Sequence, residues 1–495
     1  MGMYHSGIGG GGFMLVRDKQ GRYETIDYRE TAPAAASRDM YKHDPDASIR
    51  GGLAVAVPGE LKGLDYLHRK YGVLPWKTLV MPAVRIARDG FRVTEDHVRY
   101  MKSANEENGN FLVDDPIWAE DFAPNGTLVQ LGDIITRKRY ADSLEKIANQ
   151  GIDVFYRGEI AESMIRWIQH MNGTMTMQDL DEYRVEAKPA LNITYGDYRL
   201  FTTGAPSSGP VMFSILQTMQ QFDPADLTNT NLTAHRLVEA MKYAYGARLQ
   251  LGDPAFVGNV TKLETQLLSS DRAHHIRQHI LDDKTQPVKA YDPLLFYAPD
   301  SYGTSHIVTA DASGLTVTST TTINLLFGAQ IMTPDTGIIL NDEMDDFSQP
   351  NRSNAFGFAP SPSNYIAPRK RPLSSISPII AEHAANSSVF FATGAAGGSR
   401  IISATTQVAW HVLAQGMCLR DAMAAPRLHH QLIPDVLRLE DGFEPATAEA
   451  LAGKGHEIEW MRPGLSAVQG IMKLWDGSFE AVGEPRQSSS GGYTI

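Results

Sequence analysis

The chain reads Gly303-Thr304-Ser305-His306-Ile307-Val308 at the point where its strongest strand pattern begins. Residues 305–311 and 315–323 are rich in β-branched side chains, and Ala312-Ser313-Gly314 joins them as a turn. Residues 281–303 lose periodicity and carry three prolines, which predicts an exposed loop. The pattern therefore predicts a threonine at the first position of a strand, directly after accessible chain.

A threonine in this position suits the chemistry of an N-terminal nucleophile. Its hydroxyl is a weak nucleophile until a base takes the proton, and a free α-amine with a pKa near ~8 on the same residue is such a base. Producing that amine requires cleavage of the Gly303–Thr304 bond, which the preceding loop leaves accessible. A Gly-Thr-Ser triplet also occurs by chance, so this motif needs support from the rest of the chain.

The segments around this motif predict sheets covered by helices. Two strand patterns, residues 13–16 and 23–28, flank the polar turn Asp18-Lys19-Gln20-Gly21 and predict a β-hairpin. Apolar residues at spacings of three and four predict helices over residues 60–71, 76–89, 141–150, 160–171, 211–221, 233–251 and 403–415. This order of elements indicates an α+β or layered α/β protein.

The composition indicates an acidic globular protein and excludes several classes. The 495 residues are 42% hydrophobic and 21% charged, a normal mix for a packed core. Forty-five Lys and Arg against 57 Asp and Glu give a net charge of −12, which works against nucleic acid as a partner. The single Cys418 excludes an intrachain disulfide and a cysteine metal cluster. No apolar run approaches the ~18 residues that span a bilayer.

The glycosylation sequons point to the secretory pathway. Only 16 asparagines occur, and chance predicts about two Asn-x-Ser/Thr sequons among them. Seven are present, at Asn125, Asn172, Asn192, Asn231, Asn259, Asn351 and Asn386. No signal peptide precedes the glycine run at residues 7–12, so we expect the natural N-terminus to lie upstream. The full-length protein is then expected to be extracellular, membrane-anchored or vacuolar.

Two motifs have simpler interpretations than the functions they resemble. Residues 7–12 match the dinucleotide fingerprint G-x-G-x-x-G, but a strand pattern follows them, which favours a turn that allows close backbone approach. His275 and His279 share one helix face, yet Ile276 stands where a zinc-protease motif needs glutamate. Neither motif predicts a cofactor or a metal site.

Four carboxylates lie close together in Asp342-Glu343-Met344-Asp345-Asp346, behind an apolar strand pattern. One interpretation is a solvated acidic turn. The other is that one or two of these carboxylates are buried, and a buried carboxylate requires a cation such as a substrate ammonium. Farther along, Gly397-Gly398 lies in a loop of small residues and can present backbone N–H groups to an oxyanion.

Taken in chain order, these motifs resemble those of the γ-glutamyltransferases, also called γ-glutamyl transpeptidases or glutathione hydrolases. The matching blocks extend over nearly the whole chain and comprise residues 27–33, 251–254, 303–306, 320–328, 341–348, 371–375 and 397–400. Residues 354–357 with 360–362 resemble the lid region of eukaryotic members. The resemblance implies an α+β N-terminal-nucleophile hydrolase built as a four-layer αββα sandwich.

The resemblance also implies a division of the chain by autocleavage. Residues 1–303 are expected to form a large subunit, shortened at its N-terminus relative to the family, and residues 304–495 a small catalytic subunit. The two subunits are expected to remain together as a heterodimer and to form one intertwined αββα domain.

Each matching side chain acquires an expected role. Thr304 is expected to be both the self-cleaving residue and the nucleophile, with Thr322 hydrogen-bonded near its hydroxyl and amine. The α-carboxylate of the γ-glutamyl group is expected to be bound by Arg29, Ser374 and Ser375. Its α-ammonium is expected to be bound by Asn324, Glu343 and Asp346. Gly397 and Gly398 are expected to stabilise the oxyanion that forms at the reacting carbonyl. No metal and no cofactor is implied.

The implied activity is cleavage of the γ-glutamyl amide of glutathione and its S-conjugates, with transfer to water or to an amino-acid or dipeptide acceptor. A γ-glutamyl group is zwitterionic at its far end, so a selective site needs one cation and one anion. Two alternatives stay open: a related N-terminal-nucleophile amidase or acylase, and an inactive homologue that is not processed. Arg29 together with Asp346 disfavours the former, because an uncharged acyl chain would leave Asp346 unpaired.

Overall fold

Antiparallel strands form the centre of the molecule. The computed structural model describes residues 2–297, 303–350, 352 and 359–495. The strands are β1 (Gly11–Arg17), β2 (Tyr23–Asp27), β3 (Phe91–Arg92), β4 (Ile134–Ile135), β5 (Glu186–Pro189), β6 (Leu191–Tyr195), β7 (Tyr198–Thr202), β8 (Phe296–Tyr297), β9 (Ser305–Ala310), β10 (Thr316–Thr322), β11 (Ala359–Pro360), β12 (Ile379–His383), β13 (Val389–Ala396), β14 (Leu428–His429), β15 (Leu437–Glu440), β16 (Ile458–Met461), β17 (Ala467–Lys473) and β18 (Phe479–Val482). One sheet has the order β5-β2-β1-β10-β9 and the other β18-β17-β13-β12-β7-β6.

Helices cover the outer faces of these sheets. They are α1 (Glu60–Tyr71), α2 (Trp76–Asp89), α3 (Glu95–Asn108), α4 (Phe111–Asp114), α5 (Pro116–Phe122), α6 (Lys138–Gln150), α7 (Asp153–Tyr156), α8 (Glu159–His170), α9 (Met177–Glu182), α10 (Gly209–Met219), α11 (Thr230–Arg248), α12 (Val260–Leu267), α13 (Ser270–His279), α14 (Val288–Tyr291), α15 (Arg400–Gln415), α16 (Leu419–Ala424) and α17 (Pro445–Gly453). Within the described residues, no helix combines the length and the apolar character needed to cross a bilayer.

Side-chain alternation along the strands explains the layering. Successive residues of a strand face opposite sides of its sheet. On β1, Leu15 packs against Ile380 and Ala392 of the other sheet, whereas Met14 and Val16 pack toward α1. The outer face of the second sheet packs in the same way against α10, α11 and α15. The result is a helix–sheet–sheet–helix sandwich, the arrangement that the motifs imply.

Strands from before and after Thr304 pair within each sheet. In the first sheet β1 pairs with β10, which places Gly11 opposite Thr322. In the second sheet β7 pairs with β12, which places Thr202 opposite Ile379. The expected subunits, residues 1–303 and 304–495, remain a prediction, and cleavage between them would leave two chains that share both sheets.

The glycine run allows the backbone to approach the strand that carries Thr322. An added Cβ at Gly10 would overlap the carbonyl oxygen of Thr322, and one at Gly12 would overlap that of Thr320. The interpretation of this run as a close-approach segment is confirmed, and β1 rather than a helix follows it. The run therefore positions β10, and with it Thr322, beside β1.

Residues 281–297 are largely exposed or half-buried, as the loop prediction requires, but residues 281–303 also contain regular elements that were not predicted. They contain the short helix α14 and the strand β8, while residues 298–302 lie outside the described part. Tyr291 is buried in the hydrophobic core, where its hydroxyl donates to Glu239 at 2.6 Å and accepts the Gln286 N–H at 2.8 Å. Polar contacts to a distant helix, rather than apolar periodicity, order this segment.

Candidate active site

Thr304 lies immediately before β9 and is nearly buried, with 5% of its surface exposed. Its backbone has a φ of 137°, a value that a β-branched residue adopts only under strain. Gly303 has a φ of 127°, and an added Cβ there would overlap the carbonyl oxygen of Asn324. The Gly303–Thr304 bond is therefore held in a tight and strained backbone conformation.

Thr322 and Asn324 connect Thr304 to the acidic segment. Thr322 ends β10, and its Oγ lies 3.5 Å from the Thr304 Oγ and accepts the Asn324 N–H at 2.8 Å. The side-chain amide of Asn324 donates to the carbonyl oxygen of Asp342 at 3.1 Å. The polar contacts that begin at the expected nucleophile thus reach the backbone of Asp342, the residue before Glu343 of the expected ammonium site.

Arg29 follows β2 and is fully surrounded by protein, with 1% of its surface exposed. Its Nη1 forms an ion pair with Glu343 and its Nη2 with Asp346, which are the first and last residues of a 3₁₀ turn. Its Nε lies 3.4 Å from the carbonyl oxygen of Pro372. The fold therefore brings Arg29 into direct contact with two carboxylates more than 300 residues away.

Two of the four acidic residues in this segment are buried, which decides between its two interpretations for them. Asp342 and Glu343 have no exposed surface, so the solvated-turn interpretation is wrong for them. Burial raises the pKa of Asp342 well above its usual value, and the neighbouring Asp345 adds to the effect. The Asp342 Oδ1 accepts the Leu325 N–H at 2.9 Å, whereas its Oδ2 has no hydrogen-bond partner among the described residues.

The charges around Arg29 are unequal. Glu30 lies 3.9 Å from its Nη1, so one guanidinium faces three carboxylates, those of Glu30, Glu343 and Asp346. Burial raises the pKa of both glutamates, against the opposing effect of Arg29. Burial alone would lower the pKa of Arg29, but Glu343 and Asp346 hold it above the ordinary arginine value. A desolvated site with this excess of carboxylates favours an additional cation.

Ser374 and Ser375 directly follow Leu373, whose carbonyl oxygen lies 3.5 Å from the Nη2 of Arg29. The Ser374 Oγ accepts the Ile376 N–H at 3.2 Å, and the Ser375 Oγ accepts from Arg248 Nη2 at 3.0 Å. The two serines are buried. Neither hydroxyl donates to an acceptor among the described residues, so both can donate to an anion.

Three residues around Arg29, Ser374 and Ser375 were not predicted from the sequence. Glu30 is buried in the block at residues 27–33, where only Arg29 was given a role. The other two are Arg248, which ends α11, and Ser208, which precedes α10. The Nε of Arg248 donates to the Oγ of Ser208 at 3.0 Å, and this hydroxyl donates to the carbonyl oxygen of Ser374 at 2.6 Å. The position of Glu30 next to Arg29 could have indicated a role for it, whereas no local sequence pattern indicates one for Arg248 or Ser208.

Gly397 and Gly398 connect β13 to the buried helix α15. Their φ values are 130° and 59°, which glycine adopts without strain. Neither backbone N–H has an acceptor among the residues that the structure describes. Gly397 and Thr304 line the same cavity of about 640 Å³. Free N–H groups near a helix N-terminus suit an oxyanion beside Thr304.

The other motifs lie apart from this site. His275 and His279 are exposed on α13, as predicted for a surface helix face. The potential metal ligands within the described part of the chain are His235, Glu239 and His456, and they make hydrogen bonds of their own, such as 2.8 Å between the two imidazoles. The lid-like block at residues 354–357 lies outside the described residues.

Comparison with known proteins identifies the family. The family described as Gamma-glutamyltranspeptidase matches residues 1–493. Among its relatives, the glutathione hydrolase proenzyme of Arthroderma benhamiae is 50% identical over 499 residues, covering 100% of this chain and 84% of that protein. The glutathione hydrolase of Aspergillus flavus is 46% identical over 495 residues, covering 99% and 83%.

A solved structure shows the same fold. The cephalosporin acylase from Bacillus halodurans superimposes with a TM-score of 0.85 at 25% identity, over 100% of this chain and 89% of that one. The predicted N-terminal-nucleophile hydrolase fold is thereby confirmed. The fold, the motifs in their chain order and the match over nearly every residue show that the chain belongs to the γ-glutamyltranspeptidase family.

Proposed function

We propose that this protein cleaves itself at Gly303–Thr304 and then hydrolyses or transfers the γ-glutamyl group of glutathione and its S-conjugates through an ester on Thr304. The observation that carries the proposal is the series of contacts from Thr304 through Thr322 and Asn324 to the backbone of Asp342, whose chain neighbour Glu343 pairs with the buried Arg29. A nucleophile connected in this way to one guanidinium and several carboxylates matches a substrate whose far end is a zwitterion.

Recognition proceeds by exchange of ion-pair partners. The substrate α-carboxylate pairs with the guanidinium of Arg29 and accepts hydrogen bonds from the hydroxyls of Ser374 and Ser375. The α-ammonium pairs with the carboxylates of Glu343 and Asp346, with the Asn324 side chain as a further partner. Because both charges are bound at a distance from the reacting carbonyl, their binding energy fixes that carbonyl over Thr304.

Self-cleavage is an N-to-O acyl shift followed by hydrolysis. The Thr304 Oγ attacks the carbonyl carbon of Gly303, the amide C–N bond breaks, and the proton of the hydroxyl passes to the nitrogen. The resulting ester is hydrolysed by water, which leaves the Gly303 carboxylate and a free Thr304 amine. The φ of 137° at Thr304 supports this step, since the strain is released when the bond breaks.

Catalysis uses the new amine. It takes the proton of the Thr304 Oγ, which attacks the γ-carbonyl carbon, and the N–H groups of Gly397 and Gly398 stabilise the oxyanion. The intermediate collapses as the amide C–N bond breaks, and the departing amine takes the proton. Water or the amine of an amino acid or dipeptide then attacks the ester and releases Thr304.

The proposal includes the expected heterodimer of residues 1–303 and 304–495 and a location in the secretory pathway, outside the cell, on a membrane or in a vacuole. The sequons support the location, because several of them are exposed, namely those at Asn125, Asn172, Asn192, Asn259 and Asn386. Asn231 is half-buried, and Asn351 lies outside the described residues.

The test combines intact mass with activity on γ-glutamyl-p-nitroanilide. The unmodified protein should give two fragments, the smaller beginning at Thr304, and should release nitroaniline. Thr304→Ala should remain one chain and be inactive. Thr309→Ala, which alters an exposed threonine of the same strand, is the matched control and should behave as the unmodified protein. Cleavage at this bond in Thr304→Ala, or nitroaniline release by it, would contradict the proposal.

A further inference from the structure

Arg248 contacts the two serines of the expected carboxylate site, one directly and the other through Ser208. It is the last residue of α11 and is buried, with 8% of its surface exposed. Its Nη2 donates to the Oγ of Ser375 at 3.0 Å, and its Nε donates to the Oγ of Ser208 at 3.0 Å. The Ser208 hydroxyl donates to the carbonyl oxygen of Ser374 at 2.6 Å. One guanidinium therefore reaches the side chain of one serine and the backbone of the other.

The backbone around the two serines has further support that does not involve Arg248. The Ser374 N–H donates to the carbonyl oxygen of Pro206 at 2.8 Å, and the Ser208 N–H donates to the carbonyl oxygen of Ile376 at 2.9 Å. These bonds connect the segment before α10 to the segment that carries the serines. Loss of the guanidinium should therefore change the orientation of the hydroxyl groups more than the course of the backbone.

The polarity of these contacts determines where the Ser375 hydrogen can point. A guanidinium group has only hydrogen-bond donors, whereas a serine hydroxyl has one hydrogen and two lone pairs. Because Arg248 donates to the Ser375 Oγ, the hydrogen of that hydroxyl cannot be donated back to the guanidinium. The hydrogen of Ser208 is already used by the Ser374 carbonyl oxygen. The Ser375 hydroxyl is thus held as a donor that needs an acceptor from elsewhere, and a substrate carboxylate is such an acceptor.

We propose that Arg248 is a positioning residue, which keeps the Ser375 hydroxyl oriented as a donor to the substrate α-carboxylate and holds Ser374 beside it through Ser208. Arg248 acts through the two serines and contacts neither the reacting carbonyl nor Thr304. Its effect is therefore specific for acyl groups that carry an α-carboxylate. This inference rests on the proposed γ-glutamyl activity.

The experiment compares γ-glutamyl-p-nitroanilide with 4-aminobutyryl-p-nitroanilide, which keeps the amine and lacks the α-carboxylate. Arg248→Gln offers the Ser375 hydroxyl an amide oxygen as acceptor, so the hydroxyl is diverted from the substrate. The variant should lose ~10-fold in kcat/KM on the first compound, the effect of one hydrogen bond to a charged group, and less than about twofold on the second. Arg248→Lys, which again has only donors, should lose less than Arg248→Gln on the first compound.

A double-mutant cycle tests whether Arg248 acts through Ser375. In a protein that already carries Ser375→Ala, adding Arg248→Gln should lower kcat/KM on γ-glutamyl-p-nitroanilide by less than about threefold, since the hydroxyl that it orients is gone. If the two losses multiply, Arg248 acts independently of Ser375 and the inference is wrong.

Ser208→Ala tests the second contact while Arg248 is kept. It should lower kcat/KM by ~3-fold on γ-glutamyl-p-nitroanilide and leave the rate on 4-aminobutyryl-p-nitroanilide unchanged. All variants are compared as the two-fragment protein. If Arg248→Gln does not yield these fragments, Ser208→Ala and Arg248→Lys decide the question, because equal losses on both compounds in these variants would overturn the inference.

Arg236→Gln is the matched control. Arg236 is a buried arginine of the same helix, and its guanidinium pairs with Asp226 and Asp282. The variant should keep kcat/KM on both compounds even if its Tm falls. If Arg248→Gln lowers both rates equally, or neither, the inference is wrong while the γ-glutamyl activity stands. If the unmodified protein cleaves neither compound, the proposed function itself fails and this inference fails with it.

Discussion

Replacing Asp346 with asparagine tests the expected ammonium contact most directly. The Asp346 side chain pairs with Arg29 Nη2 and is 14% exposed, so the charge is largely desolvated. The turn around it does not depend on that charge, because the backbone oxygen of Asp346 accepts from the Asn364 side chain at 2.7 Å. Asp346→Asn therefore removes a charge while keeping the shape of the side chain.

The size of the effect follows from the charge separation. Two unit charges about 4 Å apart interact by about 4 kcal/mol at an effective dielectric constant of about 20. Glu343 shares the ammonium, so we assign roughly half of this energy, about 2 kcal/mol, to Asp346. A loss of about 2 kcal/mol corresponds to a ~30-fold decrease in kcat/KM.

The assay compares γ-glutamyl-p-nitroanilide with glutaryl-p-nitroanilide, which lacks the α-amine. Asp346→Asn should lose ~30-fold in kcat/KM on the first compound and less than about threefold on the second. Self-cleavage should persist in the variant, since no substrate ammonium takes part in it. Asp345→Asn is the matched control, because Asp345 lies in the same turn but pairs with the Ser48 hydroxyl at 2.6 Å. Equal losses of Asp346→Asn on both compounds would refute the ammonium assignment.

Two further predictions concern stability and its pH dependence. Burial lowers the pKa of His306 to about 3, so its contribution to stability is present above the unfolded-state pKa of about 6.5 and declines as the pH falls. In chemical denaturation, the destabilisation caused by His306→Gln should therefore be about 1.4 kcal/mol smaller at pH 5.5 than at pH 7.5. An equal destabilisation at the two pH values would contradict a buried neutral imidazole. Burial raises the pKa of Asp342, so its contribution to stability is present at low pH and is lost as the pH rises. The Tm of Asp342→Asn should therefore increase relative to that of the unmodified protein between pH 5 and pH 9. A difference in Tm that stays constant over this range would contradict the raised pKa.

Elements with regular spacing could be predicted because their period is a local property. Residues 60–71 and 76–89 coincide with α1 and α2, and the hairpin of β1 and β2 was also predicted. The segment at residues 281–303 could not be predicted in this way, since Tyr291 is held by Glu239, a side chain on a distant helix. Local patterns therefore predicted regular elements, whereas segments ordered by distant polar partners escaped them.

The candidate site was predictable residue by residue only through the family resemblance. Composition and spacing suggested that carboxylates at residues 342–346 are buried, and Thr304 had the position of a nucleophile. They did not predict that Glu343 and Asp346 contact Arg29, because that contact depends on the fold. Arg248, which donates to Ser375, belongs to a helix with no local sign of function.

The internal ion pairs of Arg29 have a consequence for substrate choice. In this structure Glu343 and Asp346 already pair with the guanidinium, so its charge is more than compensated in a desolvated site. An acyl group with only a carboxylate would separate these ion pairs and leave the two acids facing each other without a cation, which is costly. An uncharged acyl group would leave the pairs intact and gain nothing from them. A zwitterion supplies a carboxylate to Arg29 and an ammonium to the two acids, so each side keeps a partner of opposite charge. The selectivity that we propose for a γ-glutamyl group thus follows from the balance of charges as much as from any single contact.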